Sequence, residues 1–78
     1  MTRYQEDGVR LLAAIAEDPT LWDQLPRIEA AEELCRIDRW EGVRTFARLA
    51  ADPSLSPTYR SRAAGVLGRA GQGRPGSG

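Results

Sequence analysis

Apolar residues recur along this chain every three or four positions, in four stretches separated by short polar breaks. The first stretch carries Tyr4, Gly8, Leu11, Leu12 and Ile15. That i, i+4, i+7, i+8, i+11 spacing makes one helical face and predicts a helix from about Arg3 to Glu17. Thr2 and Gln5 have capping-box spacing at its start. Asp18-Pro19 ends it, because proline disfavours helical geometry in the residue before it. The second stretch predicts a helix over roughly Leu25 to Ile37, with Leu25, Ile28, Ala31, Leu34 and Cys35 on a shared face and Pro26 in the first turn. Thr20 to Gln24 reads either as a short 3₁₀ turn or as an early start of this helix kinked at Pro26. The third helix spans about Arg39 to Ala51. Asp38 and Glu41 form a second capping-box pattern, and Trp40, Val43, Phe46, Ala47 and Ala50 form the inward stripe. The fourth runs from Pro57 to Ala70 behind Ser56 as N-cap. Its inward residues are Tyr59, Ala63, Val66, Leu67 and Ala70, and Gly71 is placed for a left-handed cap.

The second half of the chain repeats the first. Gly8-Val9-Arg10 returns as Gly42-Val43-Arg44, and Asp18-Pro19-Thr20-Leu21 returns as Asp52-Pro53-Ser54-Leu55, both at an offset of 34. After one deletion the offset is 33, and Arg27, Ala30, Ala31, Leu34 and Arg36 match Arg60, Ala63, Ala64, Leu67 and Arg69. A period in this range with helical patterning marks a helical-repeat array. The expected fold is all-α: two antiparallel helical hairpins stacked as a minimal α-solenoid or four-helix arrangement. Residues 1–71 form one helical-repeat domain, with repeat 1 at about 3–38 and repeat 2 at about 39–71. Residues 72–78, rich in glycine, read as a flexible tail. Ala30, Ala31, Ala63 and Ala64 would let helices approach closely, while Trp22, Trp40, Tyr59 and Phe46 would fill wider spaces.

With these residues in view, the sequence resembles the HEAT-repeat family in its short bacterial forms. The second unit carries Leu49, Asp52, Arg60, Ala63-Ala64 and Leu67-Gly68, and the first carries Ile15, Asp18, Arg27, Ala30-Ala31 and Leu34-Cys35. Cys35 stands where the family has glycine, and the Asp-Pro turns are longer than in its tightest members. The Trp-Leu-Gly-Tyr spacing of tetratricopeptide repeats, which share the period, is absent. The resemblance implies a right-handed stack of hairpins that binds proteins, or sometimes nucleic acid, along a surface. It carries over no catalytic residue, because the family motif is structural.

Composition narrows the chemistry. Histidine, the commonest general base, is missing, and the adjacent pairs Glu6-Asp7, Glu17-Asp18 and Glu32-Glu33 do not face each other on a helix. They read as solvated surface. One cysteine excludes an internal disulfide and gives no metal constellation; beside Leu34, Cys35 reads as a small core hydrophobe. No catalytic, metal-binding or cofactor-binding residue is expected. No apolar run reaches membrane-span length and no signal peptide precedes the first helix, so a cytoplasmic location is expected. All eleven basic residues are arginine, which GC-rich codon usage explains as well as recognition of carboxylate or phosphate does. Charge is unevenly placed: residues 1–38 hold four Arg against nine carboxylates, and residues 39–78 hold seven against two.

These features together predict a non-enzymatic protein–protein interaction module, a HEAT-like adaptor or scaffold. Arg44, Arg48, Arg60 and Arg62 would meet an acidic partner surface. Trp22 either seals the first hairpin or serves as an exposed anchor. The alternative is a nucleic-acid-associated regulator using the same arginines. Two repeats are few, since roughly three are usually needed for stability. The four helices therefore close as a bundle, dimerise through their open ends, or join a larger assembly. In the dimer version an acidic first repeat meets the basic second repeat of another copy, head to tail.

Overall fold

A computed structural model of the chain describes residues 3–72. They form four helices: α1 (Arg3–Ala16), α2 (Leu25–Ile37), α3 (Arg39–Ala50) and α4 (Pro57–Gln72). The architecture is all-α, two helical hairpins side by side. Helix α2 packs against both α1 and α3, and α4 packs against α3. The molecule is 14 Å across in its thinnest direction, two helix layers. Thr2 of the expected first cap and residues 73–78 of the expected tail lie outside the described residues. Helix α4 continues through Gly71 to Gln72, so Gly71 is helical and not a left-handed cap.

Asp38 divides α2 from α3. Its extended backbone (φ −145°, ψ 98°) lets its N–H close α2 on the Leu34 carbonyl at 2.7 Å, while its carboxylate accepts the Glu41 N–H of α3 at 3.3 Å. Only half of the predicted capping box forms, because the Glu41 carboxylate pairs with Arg44 at 3.2 Å. Between α1 and α2 the chain is neither 3₁₀ nor an early helix. Asp18 Oδ1 accepts the Thr20 N–H at 2.8 Å and the Thr20 hydroxyl, and Asp23 Oδ1 accepts the Leu25 N–H at 3.1 Å. Asp52 and Ser54 build the same turn in the second connection, at 2.8 and 2.7 Å.

The core lies between the hairpins. Ile28, Ala31 and Leu34 of α2 are fully buried, as are Phe46 and Leu49 of α3, Leu55 of the second connection and Ala63 of α4. Several expected core positions are not there. Tyr4, Leu11 and Ile15 are exposed, Ala47 and Ala64 face solvent, and Trp40 is 62% exposed. Helix α1 is an edge helix with one neighbour layer, so its apolar stripe is wider than the surface it can cover. Trp40 lies in the first turn of α3, where it is left uncovered.

A buried arginine locks the two units together. Arg27 is 1% exposed. Its Nε donates to the Ala16 carbonyl at the end of α1 (2.9 Å), Nη1 to Ser54 Oγ (3.2 Å) and Nη2 to Asp52 Oδ2 (2.7 Å). One guanidinium thus satisfies an orphan carbonyl of α1 and grips the Asp-Pro turn of the other unit. Gln24 repeats the tie: its side chain accepts the Ser56 N–H (2.9 Å) and donates to the Ser54 carbonyl (3.2 Å). The Ser54 hydroxyl and N–H, then Arg27, hold the Asp52 carboxyl at a pKa of about 2. Closer along the helices, α3 meets α2 at Gly42. A Cβ there would collide with Cys35 Sγ and come within 2.6 Å of the Cys35 backbone.

Five outcomes follow from this packing. Arg27→Met should lower Tm, read by circular dichroism. It leaves the buried Ala16 carbonyl without its donor, a cost of about 1–3 kcal/mol. Asp52, its side chain 25% exposed, stays hydrated and bonded to Ser54. Arg36→Ala, in an exposed pair with Glu33, should change stability by less than about 1 kcal/mol. Because the folded state lowers the Asp52 pKa, its contribution is full above the ordinary carboxylate pKa of about 4 and is lost as pH falls toward about 2. Asp52→Asn should therefore flatten the fall in Tm across that acid window. Finally, Gly42→Ala should lower stability by about 1–3 kcal/mol, measured by urea unfolding. Gly8→Ala, with nothing within 4 Å of the new methyl, should raise it by up to about 1 kcal/mol.

Candidate interaction surface

Trp22 is 97% exposed, on the connection between α1 and α2. It does not seal the hairpin. The connection beneath it is nonetheless fixed: the Asp18–Thr20 turn precedes it, and the Asp23–Leu25 and Gln24–Ser54/Ser56 bonds follow it. Both Asp-Pro connections lie at this end of the hairpins, so Trp22 shares the end with the last turn of α3 and the first turn of α4.

The four predicted arginines have different surroundings. Arg48, in the last turn of α3, reaches Glu17 at the end of α1, with Nη1 at 3.0 and 3.2 Å from the two carboxylate oxygens. Arg44 lies one turn earlier and pairs with Glu41 on its own helix at 3.2 Å. Arg62 points toward α2, 3.9 Å from Glu32. These three are exposed, and each already faces a carboxylate of this chain. Arg60 is different. It is half-buried, and its Nε is closed off from solvent with no hydrogen-bond partner. The structure therefore brings Trp22 and Arg48 to one end, and turns Arg62 and Arg44 toward separate partners.

Cys35 packs half-buried against the core, and burial raises its thiol pKa despite Arg39 nearby. A neutral thiol in that position is a packing group. A shallow open depression lies where α1 passes the start of α3, lined by Glu6, Val9, Arg10, Asp38 and Glu41. Among the described residues no group of three or more His, Cys, Asp or Glu side chains is arranged to hold a metal ion. No helix among them is long and apolar enough to cross a membrane.

Sequence reasoning placed Arg27 in the repeat motif but not in the core, and it missed Gln24 altogether. Arg27 did carry a signal: it recurs as Arg60 in register with the Ala-Ala pair, as a packing residue would. With this geometry established, comparison with protein-family models, with curated proteins and with solved structures gives no match.

Proposed function

We propose that this chain is a non-enzymatic protein–protein interaction module of HEAT-like type, docking through Trp22 into an apolar pocket with an acidic rim. The observation that carries the reading is a nearly fully exposed tryptophan on an immobilised connection. Ordering a loop on binding is costly, and here the loop is ordered beforehand. Burying an indole removes a large apolar area from water, which is why tryptophan dominates interface energetics.

The arginines add charge selectivity. Exposed ion pairs such as Arg48–Glu17 and Arg44–Glu41 are worth only about 0–1 kcal/mol. A partner carboxylate can therefore replace or share the internal one at little cost. What weighs against a nucleic-acid role is direction. Duplex binding engages several phosphates along one stripe. Arg44, Arg48 and Arg62 turn toward three separate carboxylates on different helix ends and faces. The repeated Asp-Pro turns and the Arg27 bridge between units support the HEAT-like assignment.

Affinity capture with the wild-type chain, followed by capture with Trp22→Ala and with the Arg44→Glu/Arg48→Glu pair, tests the proposal. Trp22→Ala is expected to weaken the captured interaction by about 2 kcal/mol or more, roughly thirtyfold. Its stability should change by about 0.5 kcal/mol or less, since the indole touches little. The double reversal should weaken binding with helicity intact. Capture unaffected by either change would refute the reading, and steep salt-dependent binding to duplex DNA would replace it with the nucleic-acid alternative.

A further inference from the structure

The two units of this chain are alike in sequence and unlike in burial, and the differences fall on two faces. On α1, Leu11 is 66% exposed, while its repeat counterpart on α3, Thr45, is 2% exposed. Ile15 is exposed where Leu49 is buried, and Gly8 is open where Gly42 is pressed against Cys35. What covers α3 at these positions is α2 of the preceding unit; α1 has no such neighbour. On α4 the complement is seen. Ala64 faces solvent where Ala31 of α2 is fully buried, and Gly68 has nothing within 4 Å where Cys35 meets Gly42. What covers α2 there is α3 of the following unit.

The polar lock is unfinished in the same way. Arg27 holds the Asp52–Ser54 turn of the next unit. Its counterpart Arg60 makes no side-chain hydrogen bond or ion pair among the described residues, so the Nη positions that reach the next unit in Arg27 are without their turn. Its shielded Nε corresponds to the bond that Arg27 makes within the unit to Ala16 and is a separate matter. Asp18 and Thr20 form the turn that Asp52 and Ser54 form, yet no guanidinium bonds Asp18 among the described residues. A receptor for Arg60 is thus present on this chain, at its opposite end.

We infer that the open face of α4 takes the open face of α1 of a second copy of this chain, reproducing the internal α2–α3 interface. Arg60 of one copy then grips the Asp18–Thr20 turn of the next, and Gly68 passes beside Gly8. Charge favours that order. The half of the chain that contributes α1 holds nine carboxylates against four arginines, and the half that contributes α4 holds seven arginines against two carboxylates. The contact is heterologous; it builds an open array, and a ring only if the rotation from copy to copy closes. Ser61 stands where α2 has Ile28, so each contact between copies is weaker than the internal one. For Arg60 this sharpens the interaction-module reading by naming its carboxylate partner, and it rests on Gly8, Ala64, Arg60 and Asp18 rather than on Trp22.

Sedimentation velocity at low salt over a rising concentration series is the test. The wild-type chain is expected to shift to progressively larger species with no limiting size. Gly8→Gln obstructs the α1 face and Ala64→Gln the α4 face. Both positions are open in the single chain, so helicity is expected to be unchanged. Each variant alone should remain monomeric, its apparent Kd raised about tenfold or more. An equimolar mixture retains one intact pair of faces and should give a 1:1 dimer that does not grow. Asp18→Asn, which keeps the turn's acceptor and drops its charge, should also weaken assembly. A wild-type chain that stays monomeric throughout overturns the inference, as does assembly indifferent to both obstructions. The Gly8→Gln and Ala64→Gln chains keep Trp22, so partner capture with these monomers reads Trp22-dependent recognition separately from stacking.

Discussion

One buried guanidinium sets the arrangement of this small protein. Arg27 is shut away from water, and a charge so placed is tolerated only when hydrogen-bond acceptors and a counter-charge converge on it. Three acceptors converge from two separate places: the last carbonyl of α1, and the Ser54 hydroxyl and Asp52 carboxylate of the second connection. Satisfying them fixes how far the second unit can slide or rotate on the first. The apolar contacts of Ile28, Leu34, Phe46 and Leu49 drive the association but are not directional. The planar fork supplies the direction.

The helices were legible in the sequence because their boundaries are local chemistry. Asp-Pro steps stop α1 and α3, Asp38 serves two helices at once, and Pro57 starts the last one. The repeat made the pairing into hairpins legible too. Which stripe is covered was less legible. A period of 3.6 identifies an apolar face on α1, but not whether anything stands opposite it, so Tyr4, Leu11 and Ile15 were expected inside and lie outside. Trp40 failed for a related reason, since in-register spacing says nothing about whether a neighbour covers it. Arg27 was placed in the repeat motif but not in the core, because arginine is ordinarily a surface residue.

The candidate surface was legible in part. The place of Trp22 in a connection outside every stripe left open whether it seals the hairpin or stands free, and only the folded chain shows it exposed. The partners of the arginines do not follow from spacing: Glu17 lies 31 residues from Arg48, and Glu32 reaches Arg62 only because the hairpins are side by side. Those contacts are consequences of the stacking, and sequence alone gives the stacking only as a period.

Glycines in the middle of helices expose what a two-unit array leaves open. A helical glycine costs about 1 kcal/mol relative to alanine, so it needs a compensating contact. Gly42 has one: its missing side chain is what lets α3 touch α2, with no room for a Cβ. Gly8 and Gly68 lie at corresponding crossings on the outer helices, and within a single chain both face empty space. There they weaken α1 and α4 and return nothing. The compensation appears only when another helix crosses at each of them. The bare glycines, the uncovered Leu11 and Ile15, Arg60 without a side-chain bond among the described residues, and an Asp18 turn that no guanidinium bonds among them then share one physical cause: each is half of a contact that the middle of the molecule makes whole.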